Sequence, residues 1–187
     1  MNTFDLIILV IWALFILYWI ATLWRNKKTR YRKNVAVSGV SARIFTFAIL
    51  LLLWEVPIFA RAIYQPTTST RILGVILCII GAGFAVWARR TLGRNWSASS
   101  AEVKEQHELI QSGPYRWVRH PIYAGILFTL LGSFVENGKL RVLVFFLIMA
   151  VGMILRSRIE EQVMTQQFPD TYPEYKRRTK FIIPGIY

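Results

Sequence analysis

The sequence predicts an all-α integral membrane protein. Three observations carry that expectation. The mean hydropathy is +0.40 and 55% of the residues are hydrophobic, on the apolar side of ordinary soluble domains. Several apolar blocks are about 20 residues long, the length a helix needs to cross about 30 Å of hydrocarbon at 1.5 Å per residue. The cations lie between these blocks rather than along one face of them.

The first block, about residues 4–24, is too long for the core of a signal peptide, and no small-residue cleavage site follows it. It is expected to stay as a transmembrane helix. The second, 44–64, carries Glu55 and Pro57. An acid and a kink at membrane depth call for a partner or a cavity, unless Glu55 lies at the level of the headgroups. The third, 71–90, contains Gly81 to Ala88, "GAGFAVWA", whose small residues let a neighbouring helix approach closely. No strand precedes that stretch, so it is not a nucleotide loop. The last two blocks, 121–135 and 141–155, have about 15 residues each, or about 22 Å of helix, and neither crosses comfortably alone. Glu136 to Lys139, "ENGK", is a polar turn that folds them into a short helical hairpin. The count is about five transmembrane segments in a single domain, with 1–70 as an N-terminal two-helix region and 71–187 as the core.

The 23 Lys+Arg against 10 Asp+Glu give a formal charge of +13. In a soluble chain that excess would suggest nucleic acid; placed between apolar blocks it points to anionic membrane lipids and not to nucleic acid. No Lys or Arg precedes the first helix, whereas Arg25, Lys27, Lys28, Arg30, Arg32, Lys33 and Arg43 follow it. The next loop has only Arg61 and Arg71, and Arg89, Arg90 and Arg94 follow the third helix. The alternation predicts a multi-pass protein with its N-terminus outside and its C-terminus in the cytoplasm. Two long polar, aromatic-rich segments, 91–120 and 156–187, then share the cytoplasmic face.

A single cysteine, Cys78, excludes an intramolecular disulfide and a Cys-based zinc site. His107 and His120 lack an HExxH, DxD or Cys-pair context, so no metal is expected, and no Gly-x-Ser-x-Gly elbow supports a serine nucleophile. Arg156 and Glu160 are four residues apart and pair on one face if the last helix continues. Glu160 and Glu161 are about 100° apart around the axis, which predicts one acid pointing inward and the other toward water. Spacing alone reads Arg156–Glu160 equally well as an exposed ion pair, and His120 before Pro121 as an interfacial helix start. Convergence favours a site: Arg119, His120 and Tyr123 at one cytoplasmic junction, Arg156 and Glu160 at another. Such cations and acids suit a zwitterionic small molecule bearing a carboxylate and an ammonium.

"HELIQSGPYRWVRHPIYAG" followed by "RSRIEEQVMTQQFPDTYPEYKRRTKFIIPG" resembles the isoprenylcysteine carboxyl methyltransferases and the related phospholipid methyltransferases. The shared signature is an RHPxYxG junction and a later pair of glutamates, and the resemblance covers about 74–187, including the "LGRNWS" lead-in. It implies S-adenosylmethionine as methyl donor, leaving S-adenosylhomocysteine, in a cytoplasmic-side pocket without a Rossmann domain. It implies that His107, Glu108, Leu109, Ile110, Tyr115, His120, Pro121, Ile122 and Tyr123 surround the donor. Glu160 would hold the donor's amino group, and Arg156 would be the catalytic residue that orients the acceptor carboxylate. The implied acceptor is a lipophilic small molecule or lipidated chain. A short chain of this kind is similar to the prokaryotic members, implying the inner membrane. The alternatives are a phospholipid amine N-methyltransferase, with Glu161 or His120 as base, a membrane sterol reductase using a reduced nicotinamide cofactor, against which the paired glutamates speak, and a non-enzymatic scaffold binding anionic lipid.

Overall fold

A computed structural model describes residues 2–23, 29–32, 57–96, 102–104 and 108–182. Among the described residues five α-helices carry the fold: α1 (Thr3–Leu23), α2 (Thr68–Leu92), α3 (Pro121–Asn137), α4 (Leu140–Gln167) and α5 (Tyr172–Arg178). Two short strands, β1 (Thr29–Arg32) and β2 (Glu102–Lys104), form an antiparallel ribbon, Tyr31 opposite Val103 and Arg32 opposite Glu102. The ribbon ties the segment after α1 to the one between α2 and α3, an addition to the helices among the described residues.

The helix ends follow from local chemistry. Asn2 and Asp5 cap α1 reciprocally, each side chain accepting the other's backbone N–H at 2.8 Å. Thr67 caps α2 by accepting from the Thr70 N–H. Pro121 opens α3, where its missing N–H costs nothing. Gly138 ends α3 in the left-handed region at φ 65, and a Cβ there would lie 2.5 Å from the Tyr64 carbonyl oxygen. The Asn-Gly turn therefore makes the tight hairpin expected of it.

The principal contact is the seam between α2 and α3. Gly74, Cys78, Gly81 and Ala85 recur at helical spacing on α2, and Gly125, Thr129, Gly132 and Glu136 face them on α3 in the opposite order, so the two helices run antiparallel. A Cβ on Gly81 would meet the Thr129 nitrogen at 2.5 Å, and one on Gly132 would meet the Gly74 carbonyl at 2.6 Å. Backbones this close explain why "GAGFAVWA" is rich in small residues. Helix α1 runs parallel to α2, with Phe15 against Ala82 and Ala85, and Trp12 Nε1 donating to Ser133 Oγ at 3.0 Å.

Among the described residues, three helices are long and apolar enough to cross a membrane: 3–22, 68–95 and 140–167. Their outward faces expose Leu9, Leu14, Leu17, Ile79, Ile80, Val151 and Leu155, as lipid contact requires. The last of these, α4, is 28 residues long, because the helix extends at its polar end well beyond the 15-residue apolar run. The charges from Arg156 to Glu161 cut the apolar run short, but they are paired side chains and the helix continues through them. The block 44–64 lies outside the described residues except for its end, and so do Glu55 and the cations from Arg25 to Lys28.

The helices bring one set of ends together. The last turns of α1 and α2, the start of α3 and the second half of α4 meet at one face. Arg89 is buried there, 3% exposed, rather than facing solvent with the loop cations. Its guanidinium donates to the carbonyls of Gly93 at 2.6 Å and Thr22 at 3.2 Å, and stacks 4.7 Å over Trp96. One cation thus holds the C-terminal ends of α1 and α2, where helix dipoles favour positive charge. At the opposite end, Arg71 pairs with buried Glu136 at 2.8 Å.

Candidate active site

The segment leading into α3 is pinned before the helix begins. Gly113 to Arg116 form one 3₁₀ turn, Tyr115 is buried, and the Tyr175 hydroxyl donates to its carbonyl at 2.8 Å. Val118 pairs with Lys180 in a parallel bridge, and the His120 N–H donates to the Phe181 carbonyl at 3.2 Å. Arg119 completes the attachment: Nε donates to Glu161 Oε1 at 2.6 Å, while Nη1 reaches the carbonyls of Lys176 and Thr179. Arg116 stays exposed, where it can face headgroups.

His120 stands between the two glutamates. Its Nδ1 is 3.6 Å from Glu160 Oε2 and its Nε2 3.7 Å from Glu161 Oε1, with the ring stacked on Tyr123 at 5.7 Å and edge-on to Phe181 at 5.1 Å. Burial works against a charged imidazole, but the two carboxylates outweigh it and raise the His120 pKa above 6.5. The Tyr123 hydroxyl donates to Glu160 Oε1 at 2.6 Å, and Arg156 Nε reaches the same oxygen at 3.0 Å. The Arg156 guanidinium also lies 5.9 Å over the Tyr123 ring. The expected four-residue pair is therefore present and joined to the junction before α3.

Neither glutamate points to water, contrary to the expectation of one inward and one outward acid. Glu160 is 26% exposed, whereas Glu161 is buried against Arg119 and against Lys176 at 2.7 Å. The 100° between them is real, but α4 is flanked on both sides, by α3 toward Glu160 and by the 176–181 segment toward Glu161. Each acid thus meets protein.

These groups border a cavity of about 150 Å³ lined by eight of the residues expected at the site. They are Glu108, Leu109, Ile110, Tyr115, His120, Ile122, Tyr123 and Glu160. Two expected residues are not in the lining. Pro121 is fully buried in the packing beneath, as its place at the first turn of α3 dictates, and Arg156 touches the site through Glu160 and Tyr123. His107 lies outside the described residues. The lining also includes Asn95, Trp96, Val163, Met164, Tyr172 and Tyr175, none of them expected individually. The "LGRNWS" stretch and the aromatic spacing of 168–175 were the signals available for them. Burial raises the phenol pKa values of Tyr115, Tyr172 and Tyr175, which keeps them neutral donors.

A multi-pass helical membrane protein with an aromatic pocket, two acids and flanking cations at one end of its helices is the class that fold and site define. The chain belongs to the phospholipid methyltransferase family, whose sequence model matches residues 69–171. It is 31% identical over 147 residues to the protein-S-isoprenylcysteine O-methyltransferase of Saccharomyces cerevisiae, covering 75% of this chain and 62% of that one. It is 30% identical over 162 residues to the cobalt-zinc-cadmium resistance protein CzcN of Cupriavidus metallidurans, covering 86% and 67%. The fold is similar to that of the eukaryotic intramembrane Ras methyltransferase ICMT, with a TM-score of 0.57 at 21% identity over 82% of this chain and 55% of that one.

Proposed function

We propose that the protein is a membrane-embedded, S-adenosylmethionine-dependent methyltransferase acting on a lipophilic acceptor, most like the isoprenylcysteine carboxyl O-methyltransferases. The observation that carries the reading is the Glu160–Tyr123–His120 cluster in the wall of the cavity, with Arg156 bonded to its outer side. The residues present suit the donor. Glu160 and His120 would take its amino-acid end, and Glu108 and Asn95 its ribose. Asn95 Oδ1 is buried with no hydrogen-bond partner among the described residues, so it has an acceptor to offer. Trp96, Tyr115, Tyr172 and Tyr175 supply flat walls for an adenine ring.

When bound, the donor supplies an activated methyl group on a sulfonium. The chain's own task is alignment and exclusion of water, since a carboxylate acceptor needs no proton removed. Arg156 is half-buried and adjoins an exposed apolar surface at Leu155 and Ile159, so it would orient a carboxylate arriving from the lipid. The active site would face the cytoplasm, in line with the charge alternation.

The family's name favours one second reading, an amine acceptor, in which Glu161 or His120 would take the proton. Glu161 is engaged by Arg119 and Lys176, so in this reading the base would be His120 in its neutral form. Calorimetry with S-adenosylhomocysteine on detergent-solubilised protein tests the donor, and absence of binding would refute it. Incubating labelled donor with membrane extract separates the acceptors: an ester label is base-labile, an amine label is not. Glu160→Ala should weaken binding, while Arg156→Ala should lower turnover with binding retained.

A further inference from the structure

Beyond the cavity, a second concave surface lies on the opposite side of α4. It is an open groove of about 390 Å³ lined by Arg158, Glu161, Gln162, Thr165, Gln166 and Lys176. The α4 residues among these recur at helical spacing, and Arg158, Gln162 and Thr165 continue a face that Leu147, Val151, Ile154 and Leu155 begin. That face is apolar and exposed as far as Leu155 and becomes polar within one turn. A lipid-facing stripe that ends in a donor-rich groove marks the boundary between hydrocarbon and headgroups.

The groove is built for an anion. Arg158 and Lys176 line it against a single acid, Glu161, whose charge Arg119 already meets from behind, so the lining cations exceed the acids by two to one. Gln162 and Gln166 add amide N–H donors and Thr165 a hydroxyl, which suits the oxygens of a phosphate. A soluble anion would have no use for the apolar stripe that leads into the groove, whereas acyl chains would lie along it. We infer that the groove at the end of α4 is a headgroup site for an acidic phospholipid, with the phosphate on Arg158, Gln162, Gln166 and Lys176 and the acyl chains along Leu147 to Leu155.

The inference is separable from the methyltransferase reading because its test needs no turnover. The full-length protein is purified in detergent with equal phosphatidylcholine and phosphatidylglycerol, and retained lipid is read by native mass spectrometry. Wild type is expected to retain phosphatidylglycerol preferentially. Arg158→Gln should lower its apparent affinity about fivefold, the effect of one cation at a membrane surface, with Arg177→Gln, an exposed α5 change outside the lining, within about twofold of wild type. The double variant Gln162→Ala, Gln166→Ala keeps every charge and should also lose affinity, which holds the test open should Arg158→Gln misfold. Inorganic phosphate at the lipid's concentration should displace nothing. Equal losses for Arg158→Gln and Arg177→Gln would mean a diffuse field, and displacement by inorganic phosphate would mean a soluble anion; either overturns the assignment.

Discussion

The adjacent glutamates should behave as different kinds of residue. Glu161 is 4% exposed and bonded at 2.6 Å to Arg119, which is itself only 10% exposed. Removing one partner of such a buried pair costs about 3–5 kcal/mol. In Glu161→Gln, Arg119 keeps two backbone carbonyls, so the low end applies, about 3 kcal/mol, and half-exposed Lys176 adds less than about 1 kcal/mol. For a chain of this size that lowers Tm by about 6–12 °C. Glu160→Gln removes a partner from groups that are 26% and 31% exposed, worth about 1 kcal/mol or less and about 2–4 °C. Affinity should divide the other way: losing a charged acceptor for the donor's amino group costs about 1.5–3 kcal/mol, or about 10–150-fold in Kd for S-adenosylhomocysteine. Thermal unfolding in detergent and calorimetry well below Tm give both quantities. If Glu160→Gln lost as much Tm as Glu161→Gln, or if Glu161→Gln lost more affinity, the division of roles would be refuted.

The α2–α3 seam should not accept a methyl group: Gly132→Ala, with backbone atoms 2.6 and 2.7 Å from the new Cβ, is expected to cost about 1–3 kcal/mol by thermal unfolding. Gly83→Ala, on α2 with nothing within 4 Å of the new Cβ, should be neutral or stabilise by up to about 1 kcal/mol. His120 gives a pH signature. Its pKa is raised in the folded state, so its contribution to stability is complete below the ordinary histidine range and is lost as pH rises through the higher folded value. Tm measured from acid to alkaline pH should therefore fall above 6.5 more steeply in wild type than in His120→Gln, and parallel curves would contradict the ion-paired placement.

Much of this was legible because helix spacing and membrane thickness are local rules. The small residues from Gly81 to Ala88 mark a close helix approach and the Asn-Gly turn marks a hairpin, although the partner of that approach, α3, is visible only in the structure. The junction at His120 and the acids at 160–161 could be brought to one face from topology alone. What escaped were matters of partnership between distant segments. Arg89 looks like a loop cation until the Thr22 carbonyl and Trp96 are seen around it. The 100° between Glu160 and Glu161 suggests one solvent-facing acid until 176–181 is laid against α4. Tyr172 and Tyr175 sit on a seven-residue helix with no long period to mark its face, so their place in the lining depends on the bonds of Arg119 and of Tyr175 itself.

Helix α4 also shows why site and fold cannot be separated here. Over 28 residues it buries only Met153, Ser157 and Glu161, a single stripe at four-residue spacing. Lipid is as apolar as the side chains it would displace, so a helix with so thin a seam gains little from hydrophobic packing in the membrane. What fixes α4 against α3 is polar and lies at one end: Tyr123 to Glu160, His120 between the acids, and Arg119 to Glu161. The groups that border the cavity are thus the same ones that set the position of the helix carrying them. Neutralising both acids together should therefore free the second half of α4, seen as faster amide exchange over 156–167 than over 121–137. Equal protection in the two stretches would show that the seam holds α4 without the site.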